Sequence, residues 1–351
     1  MTFLLEPALR QLHRERGSDL HLIAGAPATL RLVGDLVPIP NTLVSEEDLT
    51  AILSQIAPEK LVRVFEERGE VDFRYSLPGL CHYRVNFYKT INGTAAAFRE
   101  IPNLIPRLEE LGVNPALKQL ALLDSGLVLV TGPTGSGKST VTAALVDHAN
   151  ERRQDHILTI EDPVEFVYQP KSCFVSQREV GSHTPSFASA LKMALREDPD
   201  IIVVGEMRDL ETVSLAIEAA ETGHLVFATL HTRSAAQTID RIIDIFPAGS
   251  QQQIRTSLAD SLQAVLSVSL MKSADETRRV QAMEILIANA AIRNLIREGK
   301  THQILNVLQT SRGLGMCTMD DALSKLLAEG EITRETALKY ARNGDKLKAS
   351  F

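Results

Sequence analysis

A glycine-rich run at residues 132–139, Gly-Pro-Thr-Gly-Ser-Gly-Lys-Ser, constrains the fold of this chain more than any other segment. It matches the pattern G-x-x-x-x-G-K-[ST], in which glycines let backbone N–H groups surround a polyphosphate. The apolar stretch 127–130 before it is typical of a buried parallel strand, and residues 139–149 after it are typical of a helix. A chance match in a glycine-rich turn would not predict this order. The sequence therefore predicts a parallel sheet that binds a nucleoside triphosphate where this strand ends.

The residues of this loop have distinct roles in such a site. Lys138 is expected to place a positive charge beside the β- and γ-phosphates, and the Ser139 hydroxyl is expected to hold Mg²⁺. The predicted nucleotide-binding residues are consecutive: Gly132, Pro133, Thr134, Gly135, Ser136, Gly137, Lys138, Ser139 and Thr140.

Length and composition limit the class of protein. With 351 residues, the chain is long enough for two domains with separate cores. Its net charge of −7 argues against a surface that tracks nucleic acid. Cys81, Cys173 and Cys317 are isolated in sequence, which argues against a disulfide framework or a structural zinc site. Because neither a secretory leader nor a long apolar run is recognised, we expect a cytoplasmic protein that reaches the inner membrane only through a partner.

The first part of the chain, residues 1–102, has the pattern of a small α+β domain. Helices are expected at 2–16 and from Ser45 to about residue 67, with two short strands within 28–39. A connector at 103–114 follows.

Residues 115–351 have a different pattern, in which apolar strands alternate with helices. This alternation predicts an α/β domain with a parallel, helix-covered sheet. Its strands are expected at 127–131, 157–160, 201–204 and 225–230, and roughly the last eighty residues are expected to be mostly helical.

A hairpin is predicted near the end of the first domain, because Asn92-Gly93 is a strong two-residue turn signal. With this turn, Asn86 would lie opposite Arg99, and Phe87 opposite Phe98. The period of two then places Val85, Phe87 and Phe98 on a buried face, and Arg84, Asn86 and Arg99 on the other face.

Arg84 and Arg99 therefore point away from the core of the hairpin. From the pattern alone, a solvated sheet face is the simpler interpretation. The alternative is a pair of arginine fingers that reach a triphosphate, because guanidinium groups match phosphate oxygens.

Glu206 follows the predicted strand 201–204, at the carboxyl edge of the sheet beside the loop. An acid at this position holds Mg²⁺ or its waters. Since aspartate is usual there, glutamate suggests contact with Mg²⁺ through water or a role in positioning the attacking water. A helix cap before Asp209 is the alternative.

Three further carboxylates follow strand 157–160, namely Glu161, Asp162 and Glu165. Like-charge repulsion is expected to raise the pKa of at least one of them, which suits a general base. An acidic turn is the alternative interpretation.

His224 and His231 flank the predicted strand 225–230. They are separated by about 23 Å of strand, so both cannot contact one γ-phosphate. His231 lies at the nucleotide end and is the candidate sensor, whereas His224 suits a subunit interface.

Four motifs in this order resemble the secretion and pilus ATPase superfamily. They are the loop 132–139, the acidic box 159–166, the Walker B segment 198–209 and a histidine box within 222–232. Two further segments, 17–22 and 291–298, resemble those of type IV pilus retraction ATPases of the PilT type. Ala228, Cys317 and the tail after Thr318 depart from the usual pattern, which leaves an accessory paralogue open.

This resemblance implies a RecA-like P-loop NTPase domain with a smaller PAS-like N-terminal domain, in a homo-hexameric ring that uses ATP and Mg²⁺. It also implies roles for individual residues. Glu165 would be the acidic-box base, Glu206 the Walker B glutamate, and Arg84 and Arg99 the arginines that reach the nucleotide. His231 and His224 complete the candidate catalytic set.

The implied function is a Mg-dependent ATP hydrolase that drives pilus retraction and twitching motility, acting on an inner-membrane platform protein of the pilus machinery. An accessory paralogue, or the ATPase of pilus assembly or type II secretion, is the alternative, although assembly ATPases are usually longer and often carry four metal-binding cysteines. A hexameric nucleic-acid motor fits the acidic composition poorly. A nucleotide-binding scaffold without turnover is disfavoured, because both carboxylates and both arginines are present.

Overall fold

The computed structural model describes residues 3–101, 104–111 and 115–344. The chain divides into two compact units, Met1–Leu104 and Ile105–Phe351, which we call the N-terminal and the C-terminal unit. Parts of the expected first helix, of the connector and of the C-terminal tail lie outside the described residues, namely residues 2, 103, 112–114 and 345–351.

The described part of the N-terminal unit contains helices that pack on an antiparallel six-stranded sheet with the order β3-β2-β1-β6-β5-β4. Leu9, Leu49 and Phe87 are members of the shared core. In chain order the elements are α1 (Leu5–Arg14), β1 (Asp19–Ile23), β2 (Thr29–Leu32), β3 (Asp35–Pro38), α2 (Glu46–Ile56), α3 (Glu59–Arg68), β4 (Glu70–Leu77), β5 (Cys81–Thr90) and β6 (Gly93–Ile101).

The β5–β6 hairpin forms, but its predicted register is wrong by two residues. Thr90 pairs with Gly93, so the loop is Ile91-Asn92, and Arg84 lies directly opposite Arg99. In this register α2 contacts the hairpin, because the Glu46 carboxylate accepts a hydrogen bond from the backbone N–H of Thr94 at 2.7 Å. The predicted faces are nevertheless correct, because a shift by two leaves every side chain on its face.

The second predicted helix is interrupted, and two strands were not predicted. Ser45 begins α2 with a capping box that includes Asp48. Ala57 is extended, with φ −100° and ψ 141°, because the ring of Pro58 disfavours helical backbone at the residue before it. Strands β1 and β4 complete the sheet on either side of the hairpin.

The C-terminal unit contains a seven-stranded sheet and helices. The longest described helix, α5, has 15 residues, and no helix within the described ranges is long and apolar enough to cross a membrane. In chain order the elements are α4 (Ala116–Leu120), β7 (Gly126–Thr131), α5 (Lys138–Arg152), β8 (His156–Glu161), β9 (Phe174–Glu179), α6 (Phe187–Ala194), β10 (Ile201–Val204), α7 (Leu210–Glu221), β11 (Leu225–Leu230), α8 (Ala235–Asp244), α9 (Gln251–Ser261), β12 (Leu262–Lys272), β13 (Arg279–Ile287), α10 (Ala290–Arg297), α11 (Ile304–Thr310), α12 (Met319–Ala328) and α13 (Arg334–Tyr340).

The strand order is β13-β12-β7-β11-β10-β8-β9. All neighbours are parallel except β12 and β13, and the four predicted strands are present as β7, β8, β10 and β11. The expectation of a mostly helical end missed β13, whose inward side chains, such as Val280 and Leu286, are buried. Because β7 is flanked by β12 and β11, the carboxyl ends of several strands meet beside the glycine-rich loop.

Candidate nucleotide site

The glycine-rich loop connects β7 to α5 and depends on glycines with positive φ, which is +146° at Gly132, +75° at Gly135 and +91° at Gly137. A side chain at Gly132 would collide with the Val268 carbonyl oxygen and with Ser136. Around Gly135 there is open space, since a Cβ built there meets no described atom within 4 Å beyond its chain neighbours. The loop is therefore closely packed at Gly132 and open to its surroundings at Gly135.

Lys138, the first residue of α5, folds back over this loop. Its Nζ donates hydrogen bonds to the carbonyl oxygens of Gly132 at 2.9 Å and Pro133 at 3.1 Å. Burial lowers the pKa of Lys138, although the charges of Glu206 and Glu165 oppose that shift. The cation is thus buried among acceptors that a phosphate could replace.

His231 links Lys138 to Glu206. Its Nδ1 lies 3.4 Å from Lys138 Nζ, and its Nε2 lies 2.9 Å from Glu206 Oε1. The histidine comes from the carboxyl end of β11, and the glutamate from the residues after β10. The structure therefore brings together three of the residues that the sequence analysis selected.

Arg208 is a neighbour of Glu206 that the sequence analysis did not select. Its Nη2 donates to Glu206 Oε2 at 2.6 Å, and its side chain is 73% exposed. Burial alone would raise the pKa of Glu206, but the hydrogen bonds from Arg208 and His231 outweigh it, so the pKa is lowered. Glu206 is consequently held as a carboxylate. The signal that could have pointed to Arg208 is its place two residues after Glu206, in the run Gly-Glu-Met-Arg-Asp.

The acidic box provides a second perturbed carboxyl group. The Glu161 side chain accepts hydrogen bonds from Thr159 Oγ1 at 2.6 Å and Gln177 Nε2 at 3.1 Å. Burial is the largest cause that raises its pKa to about 7, and the charge of Glu165 is the smallest contribution. The expected rise in pKa is therefore present, but desolvation causes it rather than the repulsion that the sequence suggested. Glu165 itself is exposed.

The residues present fit a nucleoside triphosphate and its metal ion. Ser136 Oγ is buried and has no hydrogen-bond partner among the described residues, and the apex of the loop is open. Ser139 lies in the first turn of α5, where helix N–H groups favour anions. Hydroxyl and carboxylate oxygens, here from Ser139 and Glu206, are the ligands that Mg²⁺ prefers.

His224 is the one predicted histidine that the structure does not bring to this loop. It precedes β11, at the opposite end of the strand from His231, and its Nδ1 lies 3.0 Å from the Ala219 carbonyl oxygen. The six strand residues between the two histidines agree with the expected separation, and a catalytic role for His224 stays a prediction.

Arg84 and Arg99 belong to the N-terminal unit, on the sheet face opposite its core. Arg99 Nε lies 2.8 Å from the buried Asp19 carboxylate, and Arg84 Nε lies 3.6 Å from Asp72. Both guanidinium groups thus have acidic partners within their own sheet. The side chains are neighbours across β5 and β6, as the alternation of faces predicts.

The family model described as type II/IV secretion system protein matches residues 3–344 of the chain. The chain belongs to this family. Within it, the chain is 50% identical over 329 residues to "Type IV pilus retractation ATPase PilT" of Pseudomonas aeruginosa, which covers 94% of this chain and 95% of the relative. It is 49% identical to "Twitching motility protein" of Neisseria gonorrhoeae, over 93% of this chain and 87% of that protein.

The solved structures of the family include a similar fold. The structure named "Crystal Structure of the Pilus Retraction Motor PilT and Bound ADP" matches with a TM-score of 0.89 and 43% identity, over 99% of both chains. The mixed α/β architecture described above is therefore that of this secretion and pilus ATPase family.

This family member also has a cavity beside the loop that the sequence did not reveal. Its volume is about 660 Å³, and it is lined by Gly137 of the loop, by Thr140 of α5, by Gln281 of β13 and by residues of α12. Gln281 Oε1 is buried without a hydrogen-bond partner among the described residues. The size suits a small-molecule group, and the unpaired amide oxygen can accept a hydrogen bond from it.

Proposed function

We propose that this chain is a motor ATPase that hydrolyses ATP to power the retraction of type IV pili. The chain of contacts from Lys138 through His231 to Glu206, next to a glycine-built phosphate loop, carries the proposal. It supplies a phosphate-binding cation, a γ-phosphate sensor and an ionised carboxylate in one place. The named functions of the two curated relatives support retraction as the work that hydrolysis performs.

The residues of the C-terminal unit divide the chemistry among them. Lys138 would exchange its loop carbonyl contacts for phosphate oxygens. Ser139, and Glu206 through water, would hold Mg²⁺, which would neutralise the charge that develops on the phosphates. Glu206 would position the attacking water, and the exposed Glu165 would accept its proton. The cavity that Thr140 lines is the proposed site of the nucleoside.

The N-terminal unit supplies the switch in this proposal. The C-terminal unit would be a RecA-like domain and the N-terminal unit a PAS-like domain, arranged as six copies in a ring. Arg99 would leave Asp19, and Arg84 would leave Asp72, to neutralise charge on the phosphates. Such arginines contribute about 10³–10⁵ to rate in related phosphoryl transfer, so a small rotation of one unit would control hydrolysis.

The ring would act at the inner membrane through a platform protein of the pilus machinery, and it would remain on the cytoplasmic side. Rotation of the units would be transmitted to this partner, which removes pilin subunits from the fibre base. The cells would therefore need this chain for twitching motility rather than for making pili.

The direction of the work is tested by counting surface pili on cells that carry Lys138→Ala. Excess static pili are expected, because assembly continues while retraction stops. Cells without pili would contradict retraction and indicate the assembly ATPase. Normal pili with weakened motility under load would indicate the accessory paralogue.

The site assignment is tested with purified protein. We expect Lys138→Ala to lose ATP binding, Glu206→Ala to bind ATP without turnover, and Arg99→Ala to bind ATP but hydrolyse it at least tenfold more slowly, which is about 1.4 kcal/mol. Arg63→Ala is the matched control, because Arg63 lies on α3, is 70% exposed and pairs with Glu59 on the same helix. If Arg99→Ala hydrolyses ATP at the rate of this control, Arg99 has no role in hydrolysis and simply lies on a solvated sheet face.

A further inference from the structure

The N-terminal unit contains a second group of chemically reactive side chains, far in sequence from the phosphate loop. His13 comes from α1, Cys81 is the first residue of β5, and Glu100 lies near the end of β6. One potential ligand atom from each residue lies within 4.8 Å of the other two. Nitrogen, sulfur and oxygen donors thus converge from three separate elements.

Glu100 is unusual because it lies on the face of the sheet that otherwise carries the apolar core. It is directly opposite Tyr83, which is fully buried, and two residues after the buried Phe98. Glu100 Oε1 lies 2.8 Å from His13 Nδ1, but Oε2 is buried with no hydrogen-bond partner among the described residues. His13 contacts one oxygen of this acid, and a bound cation would satisfy the buried second oxygen.

The donor set identifies that partner by its chemistry. A thiol, an imidazole and a carboxylate together are the ligands of Zn²⁺, whereas Mg²⁺ and Ca²⁺ prefer oxygen ligands alone. Donor atoms around tetrahedral zinc stand about 3.3–3.8 Å apart, so side-chain shifts of about 1 Å would close the group. The ion can arrive from solvent past His13, whose side chain is 47% exposed, while Cys81 is 4% exposed.

We propose that His13, Cys81 and Glu100 form a Zn²⁺ site that fastens the end of α1 to strands β5 and β6. Three protein ligands leave the fourth position to water, on the exposed side of the site. All three residues belong to the N-terminal unit, so the site is built without residues of the glycine-rich loop. The proposal departs from the prediction that the isolated cysteines argue against a structural zinc site.

The test uses the full chain, reduced and stripped of metal, titrated with Co²⁺ as a spectroscopic probe and then with Zn²⁺. We expect one Co²⁺ per chain with a thiolate-to-cobalt absorption band, displaced by Zn²⁺. Cys81→Ser should abolish the band. His13→Ala, which changes a half-exposed side chain and should fold normally by circular dichroism, should weaken binding at least tenfold.

Cys173→Ser is the matched control, because Cys173 is a buried cysteine of the other unit, and this variant should keep the band. Failure to bind Co²⁺ would overturn the proposal. So would a band that survives both His13→Ala and Cys81→Ser, since another thiol would then hold the ion. ATP hydrolysis by the same preparations is measured separately. A chain that does not hydrolyse ATP would contradict the proposed function and leave the Co²⁺ result unchanged.

Discussion

Replacing Glu161 with glutamine should stabilise the protein at pH 8 and change its stability much less at pH 5. The carboxyl group accepts hydrogen bonds from Thr159 and Gln177 through Oε1, and a glutamine can keep that oxygen in place. The substitution therefore removes a buried charge while it retains the main contacts of the side chain.

The magnitude follows from the pKa, which burial raises from 4.5 to about 7 in the folded protein. Since the folded state holds the proton more tightly, the stabilisation from protonation is complete below pH 4.5 and is lost as the pH rises through 7. At 1.36 kcal/mol per pKa unit, the ionised group costs about 3 kcal/mol above pH 7 and less than about 1 kcal/mol at pH 5. The gain from Glu161→Gln should therefore grow by about 2 to 3 kcal/mol between pH 5 and pH 8.

The assay is urea unfolding followed by circular dichroism at pH 5, 6, 7 and 8, with the free energy of unfolding compared between variant and parent at each pH. Glu165→Gln is the control, because this neighbouring side chain is exposed and its replacement should change stability little across the range. A free-energy difference for Glu161→Gln that does not increase with pH would show that the carboxyl group is not desolvated as described.

Three further predictions concern individual contacts. Arg208→Ala should raise the pKa of Glu206, because it removes the strongest hydrogen-bond donor to that carboxylate. The acid limb of the pH–rate profile of ATP hydrolysis should then move to higher pH. An unmoved limb would mean that Glu206 does not titrate in the rate-limiting step. His231→Ala should lower the rate of ATP hydrolysis at least tenfold, while ATP affinity measured by calorimetry changes little. Equal losses of rate and of affinity would assign the histidine to ATP binding alone. Ser45→Ala removes the α2 capping box with Asp48 and should cost about 1 kcal/mol in urea unfolding, and an unchanged midpoint would show that the cap contributes nothing.

Local patterns predicted much of the C-terminal unit. Apolar runs predicted β7 and β10, because strands buried on both faces are nearly continuous in apolar residues. The glycine spacing predicted the loop, since its positive φ values at Gly132, Gly135 and Gly137 are costly for other residues. Strand β13 was missed, because its nine residues lie in a region where the segments that follow form helices.

In the N-terminal unit the alternation of side chains correctly predicted the two faces of the hairpin, but not its register. In the observed register Thr94 donates to Glu46, a residue 48 positions away in sequence. The signal Asn92-Gly93 could not report a contact with a distant helix. Helix α2 similarly ends earlier than its apolar pattern suggests, because Pro58 interrupts it.

The sequence by itself determined the phosphate loop, the strands that carry it and the residues His231 and Glu206 at their carboxyl ends, because these features depend on neighbours in the chain. Only the tertiary structure decided which groups surround each ionisable side chain. Burial raised the pKa of Glu161, and Arg208 came to hold Glu206. The tertiary structure also placed His13 beside Glu100, although 87 positions separate them in sequence. Electrostatic energies depend on the distances between charged groups and on the exclusion of water, and the order of residues alone gives neither quantity.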